Sequence, residues 1–213
     1  APLGLESPPM ADNIPPRERT RLYLITPPRI HDVPEFAAML EGALEAGDVA
    51  CLQIRLKGED GRIDVPATRA VAEAVTAMAQ AYGAAVIIND SPELAVELGA
   101  DGVHIGPEDT PVKAARAIIG PDAIVGATAR NSRHAAMAAG EQGADYVAFG
   151  AFYPTDTKSG TVPAELALLE FWQETMELPC VAIGGITVEN AAPLVRAGAD
   201  FLAVSSGVWN HPQ

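Results

Sequence analysis

Three groups of residues in this chain have the types and spacing to do chemistry. In the first, Gln53, Arg55 and Lys57 alternate with Leu52, Ile54 and Leu56. Alternation in an extended segment puts the three polar side chains on one face, so two cations point the same way. If that face lines an interior, an anion must meet them, because unpaired buried cations are costly; a solvated strand end is the plainer alternative. In the second group, Asn89-Asp90 and Gly106-Pro107-Glu108-Asp109 each close a short apolar run. One carboxylate from each, Asp90 and Asp109, would suit a hard cation such as Mg2+ shared with phosphate oxygens and water. Taken alone, Asn-Asp ahead of a helix equally reads as a cap.

The third group is suited to phosphate. Phe152-Tyr153-Pro154-Thr155-Asp156-Thr157-Lys158-Ser159-Gly160 collects hydroxyls and one lysine in a loop between a strand and a helix. Gly184-Gly185 and Ser205-Ser206-Gly207 follow the next two strands. Small residues there let backbone N–H groups approach a phosphate closely. Histidine has little part in this chemistry. His104 lies within a strand and reads as a packed, hydrogen-bonded side chain, while His31, His134 and His211 read as surface positions. Cys/His metal spacing, Gly-x-Ser-x-Gly and a strand-following Gly-x-Gly-x-x-Gly are all absent from the sequence.

The elements that position these residues are announced by a repeat. Gly47-Asp48, Gly99-Ala100-Asp101, Gly143-Ala144-Asp145 and Gly198-Ala199-Asp200 each follow a helical stretch and precede a strand-like run, at intervals of 52, 44 and 55 residues. Glycine just past a helix end suits the left-handed stop. Intervals of that length hold two strand–helix units of roughly 25 residues each. Four pairs make eight strands, and the fold expected is a (β/α)8 TIM barrel, which carries its chemistry at the carboxyl ends of the strands. The strands expected are Arg21–Thr26, Val49–Arg55, Ala84–Ile88, Gly102–Ile105, Ala123–Thr128, Asp145–Gly150, Pro179–Ile183 and Asp200–Ser205. Only Gly207–Gln213 follows the last strand, so the eighth helix is expected to be truncated or missing. That would leave a flank for the N-terminal arm or another subunit to cover, and a homo-oligomer is expected.

Composition agrees with this architecture. The chain has 213 residues, 48% hydrophobic and 20% charged, which suits strands buried on both faces. Residues 1–20 form a proline-rich arm ahead of a single barrel domain over 21–213; Met10 can serve as the native start, leaving Ala1–Pro9 as a foreign extension. A membrane-length apolar run and a signal peptide are not found in the sequence, and Cys51 and Cys180 fall in different strands, expected as buried reduced thiols of a cytoplasmic protein. The net charge of −14 argues against nucleic acid and anionic membranes as partners and makes each local group of cations informative.

The ordered set Leu22–Thr26, Gln53–Lys57, Ile88–Asp90, Gly99–Asp109, Phe149–Lys158 and Ala182–Ile186 resembles thiamine-phosphate synthase, from about Arg21 to Gly207. The most specific stretches are Ala100–Asp109 and Pro154-Thr155-x-Thr157-Lys158. The resemblance implies a transferase that joins a hydroxymethylpyrimidine diphosphate to a thiazole phosphate, releasing diphosphate and thiamine phosphate. It further implies that Arg55, Lys57 and Lys158 hold the diphosphate, with Gln53 and Asn89 on the pyrimidine side. Asp90 and Asp109 would bind Mg2+, Thr128 would contact the same substrate, and Thr155, Thr157, Gly185, Ser205 and Ser206 would receive the thiazole phosphate.

The chain also departs from the family pattern. Leu56 stands where glutamate is usual, on the face opposite the cations and expected to point outward. Pro107 replaces a common glutamine, Pro27 a common aspartate, and Gly126–Arg130 differs from the usual Val-Ser-x-His. The nearest alternative is the related thiazole tautomerase, whose characteristic histidine would fall at Arg130 and which would not need the Asp90/Asp109 pair. A non-catalytic thiazole-phosphate or thiamine-phosphate binding protein is a second. A sugar-phosphate isomerase, which would need a general base, is a third.

Overall fold

The structure, a computed structural model, describes residues 19–155 and 163–210. Eight strands alternate with eight helices: β1 Arg21–Ile25, α1 Val33–Ala46, β2 Val49–Ile54, α2 Val65–Ala81, β3 Ala85–Asn89, α3 Pro92–Glu97, β4 Gly102–Ile105, α4 Val112–Ile119, β5 Ile124–Arg130, α5 Arg133–Glu141, β6 Tyr146–Gly150, α6 Leu166–Thr175, β7 Cys180–Ile183, α7 Ala191–Arg196, β8 Phe201–Val204 and α8 Ser206–Trp209. All strands pair in parallel with their sequence neighbours, and β1 pairs with β8 to close the barrel. The expected TIM barrel is the observed fold.

Helix starts follow from local chemistry. Asp32, Asp64, Ser91 and Ser132 each accept a backbone N–H from three residues on, and proline stands in the first turn of α1, α2 and α3. Alternation along the strands then sorts the core into two layers. Tyr23, Ile25, Cys51, Ile87, Tyr146, Ala148, Val181 and Ala203 pack together inside the barrel. Leu24, Leu52, Val86, Val103, Val147 and Leu202 belong to the larger cluster shared with the helices. The two thiols are free and buried on opposite sides of the wall, which rules out a bond between them. Burial pushes the Cys180 thiol up to about 12 and that of Cys51 higher still, so both stay protonated.

The eighth helix is not missing. It is a single turn, and its Trp209 ring meets Phe36 of α1 edge-on at 5.2 Å while its Nε1 donates to the Ile25 carbonyl at 2.6 Å. One indole thus covers the flank beside β1 for which the sequence offered no helix.

Candidate functional site

The carboxyl ends of β2, β3 and β4 bring charged groups together. Strand β2 ends at Ile54, and the chain runs on extended so that Lys57 follows Gln53 toward the mouth; its Nζ is paired with the Asp90 carboxylate. Asp90 sits just past β3 at φ 68°, a left-handed conformation that aspartate tolerates better than most residues, and its N–H donates to the His104 carbonyl at 2.8 Å. Its place in the loop is not that of a cap, because the residue capping α3 is Ser91. Asp109 folds back so that its Oδ2 accepts the Gly106 N–H at 2.7 Å, within hydrogen-bonding reach of Asp90. A side chain on Gly106 would collide with that oxygen, at 2.7 Å. Desolvation, and then the neighbouring Asp90 carboxylate, hold the Asp109 carboxyl above the ordinary value. Two hard oxygen donors crowded beside one lysine form a donor set that fits Mg2+ with phosphate. Among the described residues there is no cluster of three or more metal-ligating side chains, so substrate and water would complete the shell.

Arg55 is half-buried and makes no ion pair with another described residue; its backbone N–H donates to Thr26 Oγ1 at 2.9 Å. Leu56 does not face outward to solvent. It is 1% exposed in the layer between barrel and helices, because the outside of a barrel strand is covered by helices rather than water. Glutamate there would need a buried partner.

Beneath the mouth, Gln53 and Asn89 are buried at 3% and 5%. Gln53 Nε2 donates to the Tyr23 hydroxyl at 2.8 Å, and Tyr23 meets the Tyr146 hydroxyl at 2.7 Å. Tyr146 reaches His104 Nδ1 at 2.9 Å, and His104 Nε2 reaches Thr128 Oγ1 at 2.8 Å. His104 is therefore the packed, hydrogen-bonded residue expected. Tyr23 and Tyr146 were not legible as polar participants, because an aromatic in a buried strand reads as core.

On the far side, the ends of β6, β7 and β8 are lined by backbone. Gly185 lies at φ 62°, and a side chain there would sit 2.4 Å from the Pro154 carbonyl; one on Gly207 would sit 2.4 Å from that of Ile186. Asn190, which sequence reasoning passed over, fixes this turn: its Nδ2 donates to Gly185 O at 2.9 Å and its Oδ1 accepts Thr187 N–H at 2.7 Å. Ser205 Oγ donates to the Thr26 carbonyl at 3.3 Å, Ser206 is exposed at the start of α8, and Thr155 is half-buried. Thr157 and Lys158 lie outside the described residues, as do His211 and most of the N-terminal arm. His31 and His134 are exposed, and Arg130, at φ 54° past a bulge in β5, reaches Glu108 at 3.4 Å.

A family model described as thiamine monophosphate synthase matches residues 22–208. The chain is 72% identical over 202 residues to the thiamine-phosphate synthase of Hyphomonas neptunium, covering 95% of this chain and 91% of that protein. It is 59% identical over 192 residues to the thiamine-phosphate synthase of Rhodospirillum centenum, covering 90% of each. Among solved structures, the thiamine phosphate pyrophosphorylase from Pyrococcus furiosus superposes with a TM-score of 0.73 at 31% identity, over 87% of this chain and 85% of that one. A 3-hexulose-6-phosphate synthase at 17% identity and TM-score 0.60 shares the fold alone. With nearly the whole barrel matched at such identity, the chain belongs to the thiamine monophosphate synthase family.

Proposed function

We propose that the protein condenses 4-amino-5-hydroxymethyl-2-methylpyrimidine diphosphate with 4-methyl-5-(2-phosphoethyl)thiazole, giving thiamine phosphate and diphosphate. The observation that supports this reading is the pairing of two unlike groups of residues across one barrel mouth. One is charged, with Lys57, Asp90 and Asp109 together; the other is built from glycine-lined backbone and hydroxyls at Gly185, Thr155, Ser205 and Ser206. A reaction of two phosphorylated substrates needs such a division.

In the reaction, the bond between the pyrimidine methylene and the diphosphate oxygen breaks, and its electron pair leaves with the oxygen. The positive charge on the methylene spreads into the aminopyrimidine ring. The thiazole nitrogen then donates its lone pair to form the new carbon–nitrogen bond. No proton need move, so the step requires no general base. Catalysis then rests on leaving-group stabilisation and alignment. Arg55, Lys57 and Lys158 would hold the diphosphate, and Gln53, Asn89 and Thr128 the pyrimidine. Thr155, Thr157, Gly185, Ser205 and Ser206 would hold the thiazole phosphate. Asp90 and Asp109 would hold Mg2+, which when bound neutralises charge on the departing diphosphate. Lys57 must then exchange Asp90 for phosphate oxygens.

The raised carboxyl of Asp109 supports this assignment, since a crowded carboxylate pair gains most from a cation. The same reading includes work in the cytoplasm, and among the described residues no helix is long and apolar enough to cross a membrane. A homo-oligomer stays within the proposal, although Trp209 removes the uncovered flank that first argued for one; a single monomeric species by light scattering would end it. The deciding assay is diphosphate release with both substrates, with Mg2+ and with chelator. Release that requires all three components is expected. Thiazole-phosphate binding without any release from folded protein would overturn the reading.

A further inference from the structure

The hydrogen bonds inside the barrel form one unbroken chain: Gln53, Tyr23, Tyr146, His104, Thr128. Its two ends are the side chains assigned above to the pyrimidine. From the bonding order we infer that this chain is polarised in one direction, so that Tyr23, Tyr146 and His104 act as positioning residues that hold His104 with its proton on Nε2 and turn Thr128 into a hydrogen-bond donor toward the mouth. The inference rests on the functional reading just given.

The direction follows from one fixed end. Gln53 meets Tyr23 through its amide nitrogen, which can only donate, so the Tyr23 oxygen accepts there. Tyr23 has a single proton left to give. Its neighbours are the Tyr146 oxygen at 2.7 Å and the Cys51 thiol, and sulfur is the weaker acceptor. Tyr146 then gives its own proton to Nδ1 of His104, which must present a lone pair. The ring proton therefore sits on Nε2 and is donated to Thr128 Oγ1, leaving the threonine proton for the substrate side. At the other end the Gln53 carbonyl is left to accept. An aminopyrimidine offers both kinds of partner, a ring nitrogen that accepts and an amino group that donates. Burial raises both phenols well above their ordinary value, which keeps each proton in place.

The sequence is shaped around this chain. Gly126 of β5 lies in register between His104 of β4 and Tyr146 of β6. A Cβ on Gly126 would overlap the Tyr146 ring at 2.0 Å and its hydroxyl at 2.2 Å. The glycine is the space through which Tyr146 reaches the histidine.

The test reads the proton directly. Long-range 1H–15N correlation on labelled protein without substrate gives the tautomer of each histidine, and the signal lost in His104→Asn assigns His104. A single Nε2–H tautomer is expected. Tyr146→Phe, cutting upstream, should release His104 from that tautomer, whereas Thr128→Ala, cutting downstream, should leave it unchanged. Tyr146→Phe should also raise KM for the pyrimidine diphosphate roughly three- to tenfold without changing KM for the thiazole phosphate. An Nδ1–H tautomer in the wild type, or sensitivity to Thr128→Ala and not to Tyr146→Phe, would overturn the inference. If Tyr146→Phe fails to fold, Tyr23→Phe substitutes as the upstream cut, with the same outcome expected. The tautomer is read without turnover, so an inactive wild type would count against the functional reading alone.

Discussion

At the rim where the strands begin, aspartate is used as a clamp; at the rim where they end, it is left under tension. Asp101, Asp145 and Asp200 each accept a backbone N–H from the preceding strand, those of Val86, Val125 and Cys180 at 2.7, 2.7 and 2.8 Å. Each also takes a side chain from the helix that precedes that strand: Gln80 from α2, Arg116 from α4 and Gln173 from α6. Asp48 is the variant member and takes Arg21 of β1 instead. At the opposite rim Asp90 occupies a left-handed backbone position, leans on Lys57 and lies against Asp109. The first set is satisfied by donors that stay put, the second by groups that a substrate would displace. Repetition therefore marks the stabilising face of this barrel, and its absence marks the face with chemistry.

The sharpest way to break this contrast is to remove one aspartate from each rim. Asp109→Ala should lower Mg2+-dependent kcat on the order of 10²- to 10³-fold, with thiazole-phosphate binding nearly intact. Wild-type turnover in that variant would void the metal assignment. Asp145→Ala should do the reverse. It loses a charge-assisted bond to a backbone N–H and the ion pair with Arg116, costing about 2 kcal/mol. For a domain of this size that is a Tm roughly 4–8 °C lower. Its kcat at a temperature where it stays folded should match the wild type. If Asp145→Ala lost activity in proportion to Asp109→Ala, the division between rims would be wrong.

The two rims were also unequally legible in the sequence. The clamps were visible as glycine–aspartate pairs because a helix stop and a strand start are local events. Strand β4 matches its expected limits for the same reason. The polar residues of the mouth were found through alternation on β2 and through strand ends. What escaped depends on three-dimensional packing. Tyr23 and Tyr146 look like core aromatics until their hydroxyls are seen to meet. Leu56 faces away from the cations, as alternation required, but away means into the helical layer. The four-residue α8 is too short to show a period, and its role lies in one tryptophan. Strand β5 runs to Arg130 rather than Thr128 because a bulge lets pairing resume.

A smaller effect follows from the raised Asp109 carboxyl. Between the ordinary carboxylate value and the higher folded one, the native protein keeps a proton that the unfolded chain has released. Stability of the metal-free protein should therefore fall as pH rises through that window. Partial exposure of the group keeps the fall modest. Saturating Mg2+ should remove it, and so should Asp109→Asn, both followed by thermal melts at graded pH. A fall that persists in Asp109→Asn would assign the effect to another group.

The smallest effect is expected where two arginines are compared. Arg116 is mostly shielded and serves Gly120 O at 3.0 Å, Gly143 O at 2.9 Å and the Asp145 carboxylate, fastening the start of β5 to that of β6. Arg130 is exposed and, among the described residues, pairs only with Glu108, itself exposed, at 3.4 Å. Ion pairs of the second kind contribute about 0–1 kcal/mol, since water competes for both partners and long side chains lose freedom in meeting. Arg130→Ala should thus leave Tm within about 2 °C and kcat/KM within roughly threefold. Arg116→Ala should instead approach the loss expected for Asp145→Ala, and the double variant should cost less than the sum, because both remove the same bond. Arg130 also stands where the related tautomerase carries its histidine. A large fall in condensation rate on Arg130→Ala, with Tm unchanged, would move that arginine into the site beside Thr128.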